Sequence, residues 1–180
     1  MIIRVGNILM RRFLPEHTDI LYRLINNPEV RKGMRNSNEI PWENHLSWVQ
    51  KNLLEEGDVH LFVVMDEGLG QGVALIKNIS GNTGELGVMV GDIDSARKTL
   101  LTSKLLTGVL YYFFNTLNLR YLNISILHGN TNSLITAKKI GAEFQGQDDI
   151  YKYFILEASK YESLPLNRSL LRRYQPFCME

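Results

Sequence analysis

Between two short apolar segments, ELGVMVG at 85–91 and YLNISIL at 121–127, the chain carries Leu101, Leu105, Leu106, Val109, Leu110, Phe113, Phe114 and Leu117 at the three-to-four-residue spacing of one helix face. A stripe that wide has to be buried, and the strands on either side of it supply a sheet that can bury it. The rest of the chain keeps the alternation. A strand is expected at Ile8–Leu14, a helix near His17–Asn26, and a second helix opening at Trp42 behind Pro41 and continuing through ENHLSWVQKNLLEE. VHLFVVM and GVALIKNI read as strands joined by the glycine-rich turn DEGLGQG. NTNSLITAKKI reads as a helix stopped by Gly141, and IYKYFILEA as a last strand, with a further strand near Ala142–Gln147. The expected class is α/β: a mixed sheet with helices on its faces, where ligands collect at the carboxyl ends of diverging strands, here near Val90 and Leu127.

At 180 residues and 44% hydrophobic content, the chain suits one domain, read as 1–158, followed by a tail at 159–180 that forms at most a short helix. No repeat or low-complexity block interrupts it. Twenty basic against nineteen acidic residues leave a net charge of +1, so no general field draws nucleic acid or an anionic membrane, and any anion site has to be local. Cys178 is the only cysteine, which excludes an intrachain disulfide and a cysteine-rich metal site. There is no Gly-x4-Gly-Lys-Ser/Thr, His-Glu-x-x-His or Cys-x-x-Cys pattern, and no metal is expected. LLTGVLYYFF is too short to span a bilayer, and the expected location is the cytoplasm.

GDIDSARKTLLTSKLL, from Gly91 to Leu106, lies where a strand gives way to the long helix and reads like a phosphate-binding turn without its glycines. The first N–H groups of any helix lack intrahelical partners, Arg97 and Lys98 add charge, and Thr99, Thr102 and Ser103 add hydroxyls. The bland reading is a solvated turn with ordinary caps.

From Arg11 to Leu156 these residues resemble the GNAT acetyltransferases. ELGVMVG with the following loop and LTSKLLTGVLYYFFNTLNLRYL is similar to the family's acyl-CoA segment, and NTNSLITAKKIGAEFQG to its Asn-x-x-Ser…Lys-x-Gly-x-x helix and turn. The resemblance implies a mostly antiparallel sheet, splayed at the cofactor strand and flanked by helices, with acetyl-CoA as cosubstrate. It implies that Val88, Met89 and Val90 line the pantetheine arm, that Arg97, Lys98, Thr99, Leu100, Leu101 and Thr102 surround the pyrophosphate, and that Asn130 and Ser133 complete the cofactor contacts. The family's Arg/Gln-x-x-Gly-x-Gly/Ala is matched only as Arg97-Lys98-Thr99-Leu100-Leu101-Thr102. Leucine at a glycine position is excluded only by a positive φ or a phosphate against its Cα, and with helical φ Leu100 can point into the core.

Asn26–Leu53, NNPEVRKGMRNSNEIPWENHLSWVQKNL, resembles one branch, the nucleotide-sugar N-acetyltransferases of the pseudaminic-acid pathway. This implies a UDP-linked amino sugar as the small-molecule acceptor. Gly33 stands where a large apolar residue is usual, and Ile25 where some members have arginine. Arg31, Lys32 and Arg35 are cations suited to a diphosphate. His45 shares a helix face with Trp42, Trp48 and Val49, as a nucleotide contact or a buried structural histidine. Other readings of the same fold are a protein N-terminal acetyltransferase and a non-catalytic acyl-CoA or nucleotide-sugar sensor. No nucleic-acid or membrane partner is expected, and a homodimer is compatible with the sequence.

Direct amine acetylation needs a neutral nucleophile, a donor to the developing oxyanion and a route for two protons. His128, directly after YLNISIL, and Glu85, which opens the cofactor strand, are the candidate bases. The resemblance places an acidic tyrosine at the position of Ala137, so Ser133, an ordered water, Tyr151 or Tyr153 has to protonate the thiolate instead.

Overall fold

A two-strand hairpin of β1 (Ile2–Val5) and β2 (Ile8–Arg12) opens the chain, and a 3-10 turn at Pro15–His17 leads into α1 (Thr18–Ile25). The short α2 (Pro28–Arg31) follows, capped by the Asn27 side chain, which accepts the Glu29 N–H. Then come α3 (Trp42–Val49), running on into a π-helical turn at Gln50–Leu54, and the strands β3 (His60–Asp66), β4 (Leu69–Ser80) and β5 (Thr83–Val90). The long α4 (Ser95–Tyr111) also ends in a π-helical turn, Tyr112–Thr116, before β6 (Tyr121–Leu127), α5 (Thr131–Ile140), β7 (Glu143–Gln147) and β8 (Tyr151–Glu157). The chain closes with α6 (Ala158–Ser163), α7 (Pro165–Tyr174) and β9 (Phe177–Met179). This computed structural model describes residues 1–55, 58–66, 69–91 and 94–179, without the side chains of 66, 69, 70 and 95–97.

The strands form one sheet in the order β7-β8-β6-β5-β4-β3-β2-β1-β9. Every neighbouring pair is antiparallel except β5 and β6. Alternation along β6 shows how the faces are used: Leu122, Ile124 and Ile126 are buried, whereas Asn123 and Ser125 are exposed. The buried face packs against the stripe of α4, with Leu105, Val109, Leu110 and Phe113 in one core cluster. Each such side chain contributes about 1.5–3 kcal/mol of burial. Glycine sets how close the helix comes: a Cβ on Gly108 would lie 2.4 Å from Met10 Sδ. Gly72, expected as a hairpin glycine, makes room for Leu105, whose Cδ1 would lie 2.8 Å from an added Cβ.

On the other face α1 and α3 cover β3 and β4 through a second cluster that includes Leu21, Leu24, Val49, Leu61, Val63 and Val73. Met89 of β5 packs at its edge. Further along that face Asn123, Ser125 and Tyr153 are exposed, so the β6–β8 half of it is polar and bare.

Three stretches differ from the sequence reading. β1 precedes the expected first strand, and α3 gives up its α-helical bonding at Gln50. The C-terminal segment, read as a tail, contributes two helices and a strand: β9 pairs with β1, Tyr161 and Tyr174 are buried, and the Gly6 N–H donates to the Tyr174 carbonyl at 2.7 Å. Buried Asn167 holds this segment to α5 by donating from Nδ2 to the Ile140 carbonyl at 2.9 Å. Gly141 stops α5 as expected, at φ 95°. No helix among the described residues is long and apolar enough to cross a membrane.

Candidate active site

β5 and β6 run parallel but pair only at Thr83–Tyr121, Gly84–Leu122 and Glu85–Asn123. Beyond that point they part, while β5 stays paired with β4 as far as Gly72–Val90. Residues 86–90 therefore have one backbone edge in the sheet and one open, and open amides and carbonyls require partners. Val88, Met89 and Val90 share that edge, but their side chains divide. Val88 and Val90 face the α4 cluster, and Met89 faces the opposite side.

Immediately after the open strand comes the N-terminus of α4, where the Lys98 N–H closes on the Asp94 carbonyl at 2.8 Å. The N–H groups of the turn before it have no partner within the helix, which makes this end a favourable place for an anion. Thr102 Oγ1 donates back to the Lys98 carbonyl at 2.8 Å, an ordinary helix back-bond. Leu100 lies within the helix and has no positive φ, so glycine's conformational freedom is not required there. Its side chain is 43% exposed, and Leu101 is the one that reaches the core, which corrects the expectation for Leu100. Thr99 is exposed, and the Arg97 side chain lies outside the described residues.

α2 lies beside this helix end. The hydrogen bond and charge of Lys32, with a smaller share from Lys98, hold the Glu29 carboxyl below its usual range. Lys32 Nζ sits 2.5 Å from Glu29 Oε1, and both are exposed. Arg31 turns inward and is 5% exposed. Its guanidinium donates to the carbonyls of Asn36 and Asn38 and reaches Met34 Sδ at 2.9 Å, so it fastens the loop and is no surface cation. Arg35 is exposed.

Across the gap, Asn130 caps α5 by accepting the Ser133 N–H on Oδ1 at 3.1 Å. Ala137 is 2% exposed, so the position of the family's tyrosine is filled inside the core. His128 donates from its backbone to the Ile150 carbonyl at 3.1 Å, and its Nε2 lies 2.8 Å from the Asp148 carbonyl. That ring is directed to the β7–β8 turn, on the side of β6 away from β5. Asp148 in turn accepts from the Tyr153 hydroxyl and from the N–H groups of Tyr151 and Ile150, which pull its carboxyl down to about 2. Glu85 stands on the same face of β5 as Met89, accepting from Asn78 Nδ2 at 2.7 Å and lying 3.4 Å from Lys77 Nζ.

Between α1, α3 and the sheet lies a cavity of about 330 Å³. Leu21, Ile25, Trp48, Leu75 and Met89 are among its walls, no lining residue bears a charge, and Asn44 and His45 are its polar members. His45 is 1% exposed, with Nε2 3.0 Å from the Thr18 carbonyl and its ring 5.2 Å from Tyr22 and 5.6 Å from Trp42. Burial lowers its pKa, so the ring is neutral and donates from Nε2. The cavity was not legible in the sequence, because its walls come from three strands, two helices and a loop that only the packing brings together.

The acetyltransferase (GNAT) domain family matches residues 7–143. No curated protein sequence matches the chain. Solved structures similar to it include the apo form of FdhC, a nucleotide-linked sugar GNAT, with 18% identity and a TM-score of 0.75 over 97% of this chain and 98% of that one. Another is the spermidine N-acetyltransferase of Vibrio cholerae with CoA and spermine, with 16% identity and a TM-score of 0.72 over 86% of this chain and 97% of that one. A third is the Campylobacter jejuni N-acetyltransferase PseH with acetyl coenzyme A, with 15% identity and a TM-score of 0.61 over 84% and 99%. At such identities the shared property is the fold.

Proposed function

The chain belongs to the GNAT acetyltransferase family, and from that premise we propose that it transfers the acyl group of acetyl-CoA to the primary amine of a nucleotide-linked amino sugar, without a covalent enzyme intermediate. The observation that carries this reading is the parting of β5 from β6 directly before the N-terminus of α4. The amides of a pantetheine arm complete the open edge at 86–90, and the pyrophosphate meets the N–H groups of the first turn of α4, which no bond within the helix satisfies, with Lys98 beside them. The CoA species in the Vibrio and Campylobacter structures support the cosubstrate.

For the acceptor, the bare β6–β8 face offers Asn123, Ser125 and Tyr153, and Arg35 is an exposed cation on the loop after α2. Hydroxyls, an amide and a guanidinium suit a hydroxylated, phosphorylated molecule. The nucleotide-linked sugar GNAT shares the fold over 97% of this chain, which supports the same acceptor class.

In the reaction the neutral amine attacks the thioester carbonyl carbon, the C–S bond breaks, and an amide and CoA thiol result. Of the two protons lost by the original ammonium, one leaves through a water held by Glu85 and one reaches the thiolate from the Ser133 hydroxyl or a water beside it. Thermal shift with CoA and acetyl transfer to amino-sugar nucleotides, polyamines and peptide N-termini test the proposal. A hundredfold excess of CoA over its dissociation constant stabilises the fold by about 2.7 kcal/mol. The absence of a shift at millimolar CoA would sink the cosubstrate, and turnover confined to peptides or polyamines would replace the acceptor.

A further inference from the structure

We infer that the cavity under α1 and α3 seats the alkyl tail of an acyl group when the donor carries one, so that acyl chains longer than acetyl also bind the donor site, and more tightly. The inference rests on the acyl-CoA reading above. At about 330 Å³ the cavity is far larger than a methyl group. An apolar cavity of about 150 Å³ holds a benzene, so this one suits a chain on the order of four to eight carbons.

Its position ties it to the donor. Leu75 and Met89 form part of its wall, and Leu75 of β4 is the register partner of Gly87 on β5. A Cβ on Gly87 would lie 3.0 Å from Leu75 Cγ, so the glycine lets Leu75 lean across the cofactor strand. Met89 follows on the same face. An arm lying along the open edge at 86–90 brings the acyl carbon beside Gly87 and Met89, one side chain from the cavity.

Its chemistry selects an alkyl occupant. No wall residue is charged, and its polar members are Asn44 and the buried ring of His45, whose Nε2 is held at the Thr18 carbonyl and whose Nδ1 is without a partner. A sugar with several hydroxyls would find only Asn44 and the His45 Nδ1 as partners in an otherwise apolar space, a loss an alkyl chain does not incur. The acceptor has its own polar surface on the β6–β8 half of the same sheet face.

Calorimetric titration of the full chain with CoA, acetyl-CoA, butyryl-CoA, hexanoyl-CoA and octanoyl-CoA, without any acceptor, tests the inference. Affinity is expected to rise about fourfold per methylene, reaching on the order of a hundredfold between acetyl and hexanoyl, before it levels off as the cavity fills. Ile25→Phe fills the cavity from α1 and should bring the hexanoyl-to-acetyl affinity ratio towards one. Ile40→Phe does so from the loop between α2 and α3 and serves if the first variant does not fold. Equal affinity for acetyl and hexanoyl, or a ratio that survives both fillings, overturns the inference and leaves the cosubstrate standing. Failure of every CoA species to bind overturns the cosubstrate, and this inference with it.

Discussion

Asn130 closes the first turn of α5 on Ser133: its Oδ1 accepts the Ser133 N–H at 3.1 Å, while its Nδ2 lies 3.6 Å from the point a Cβ on Gly33 would occupy. The acceptor end of the amide is thus engaged as the cap, and the donor end packs beside Gly33. Asn130→Ala removes the cap and should cost about 1 kcal/mol, read as a lowered Tm, whereas Asn130→Asp keeps the acceptor and should restore it. If the residue only caps, CoA affinity follows the Tm in both variants. If it also touches CoA, the aspartate restores the Tm but not the affinity.

Arg31 and Arg35 are four residues apart and should behave oppositely. Arg31→Ala leaves the Asn36 and Asn38 carbonyls without their buried donor, at about 1–3 kcal/mol for each group left unsatisfied, and melting should report it. Arg35→Ala should barely move the Tm and should raise the KM of a diphosphate-bearing acceptor several-fold. A KM unchanged in Arg35→Ala would take the diphosphate elsewhere.

The contrast shows what local sequence can carry. β6 is observed at Tyr121–Leu127 and α5 at Thr131–Ile140, as expected, because apolar alternation, the Asn130 cap and Gly141 are written into neighbouring residues. β1 and β9 lie outside the sequence reading: they are four and three residues long, β1 is a strand through its hairpin with β2, and β9 is one only by pairing with β1 across the length of the chain. At the site, the start of α4 could be read because a helix start is local. The burial of Arg31 depends on its own loop folding back through Asn36 and Asn38, and the Asp148 partner of His128 and the cavity beside Met89 depend on segments distant in sequence meeting, and no spacing in the sequence encodes them.

Lys98 and Leu100 separate charge from glycine at the α4 terminus. Lys98→Ala should weaken CoA by about fivefold or more, the scale of one charge-assisted hydrogen bond, and Arg97→Ala tests the neighbouring cation in the same assay. Leu100→Gly should not improve CoA affinity, because the backbone there is already helical, and it should cost about 1 kcal/mol of helix stability. Tighter CoA binding by the glycine variant would show that the Leu100 side chain crowds the phosphates.

Acid stability should follow His60. Its Nδ1 lies 2.6 Å from the Tyr112 hydroxyl, and burial first, then the charge of Arg12, lowers its pKa to about 4. In the unfolded chain the value returns to about 6.5. Between those values the unfolded state binds the extra proton, so stability rises with pH across this window and is lost as pH falls through it. Burial lowers His17 and His45 in the same sense. The Tm should drop below about pH 6.5, and His60→Asn, which keeps an acceptor for Tyr112, should flatten the dependence. An unchanged slope would assign the acid loss to the other two histidines or to carboxylates.

The general base divides Glu85 from His128. His128 follows the strand that ends at the gap, but Nε2–H donates to the Asp148 carbonyl, which turns the ring towards the β7–β8 turn and leaves only Nδ1 to accept a proton. Glu85 stands on the pocket face of β5, where pairing with β6 ends, held by Asn78 Nδ2 at 2.7 Å and Lys77 Nζ at 3.4 Å. Glu85→Gln should therefore lower kcat/KM by about 10²–10⁴-fold and remove the acid limb of the pH profile, with the Tm little changed. His128→Gln should lower the Tm by loosening the turn and leave the acid limb in place. The reverse pattern, a stable His128→Gln enzyme with a lost acid limb and a Glu85→Gln enzyme of near-normal turnover, would make the Nδ1 of His128 the base and require the β7–β8 turn to bring that ring back over the gap when acceptor binds.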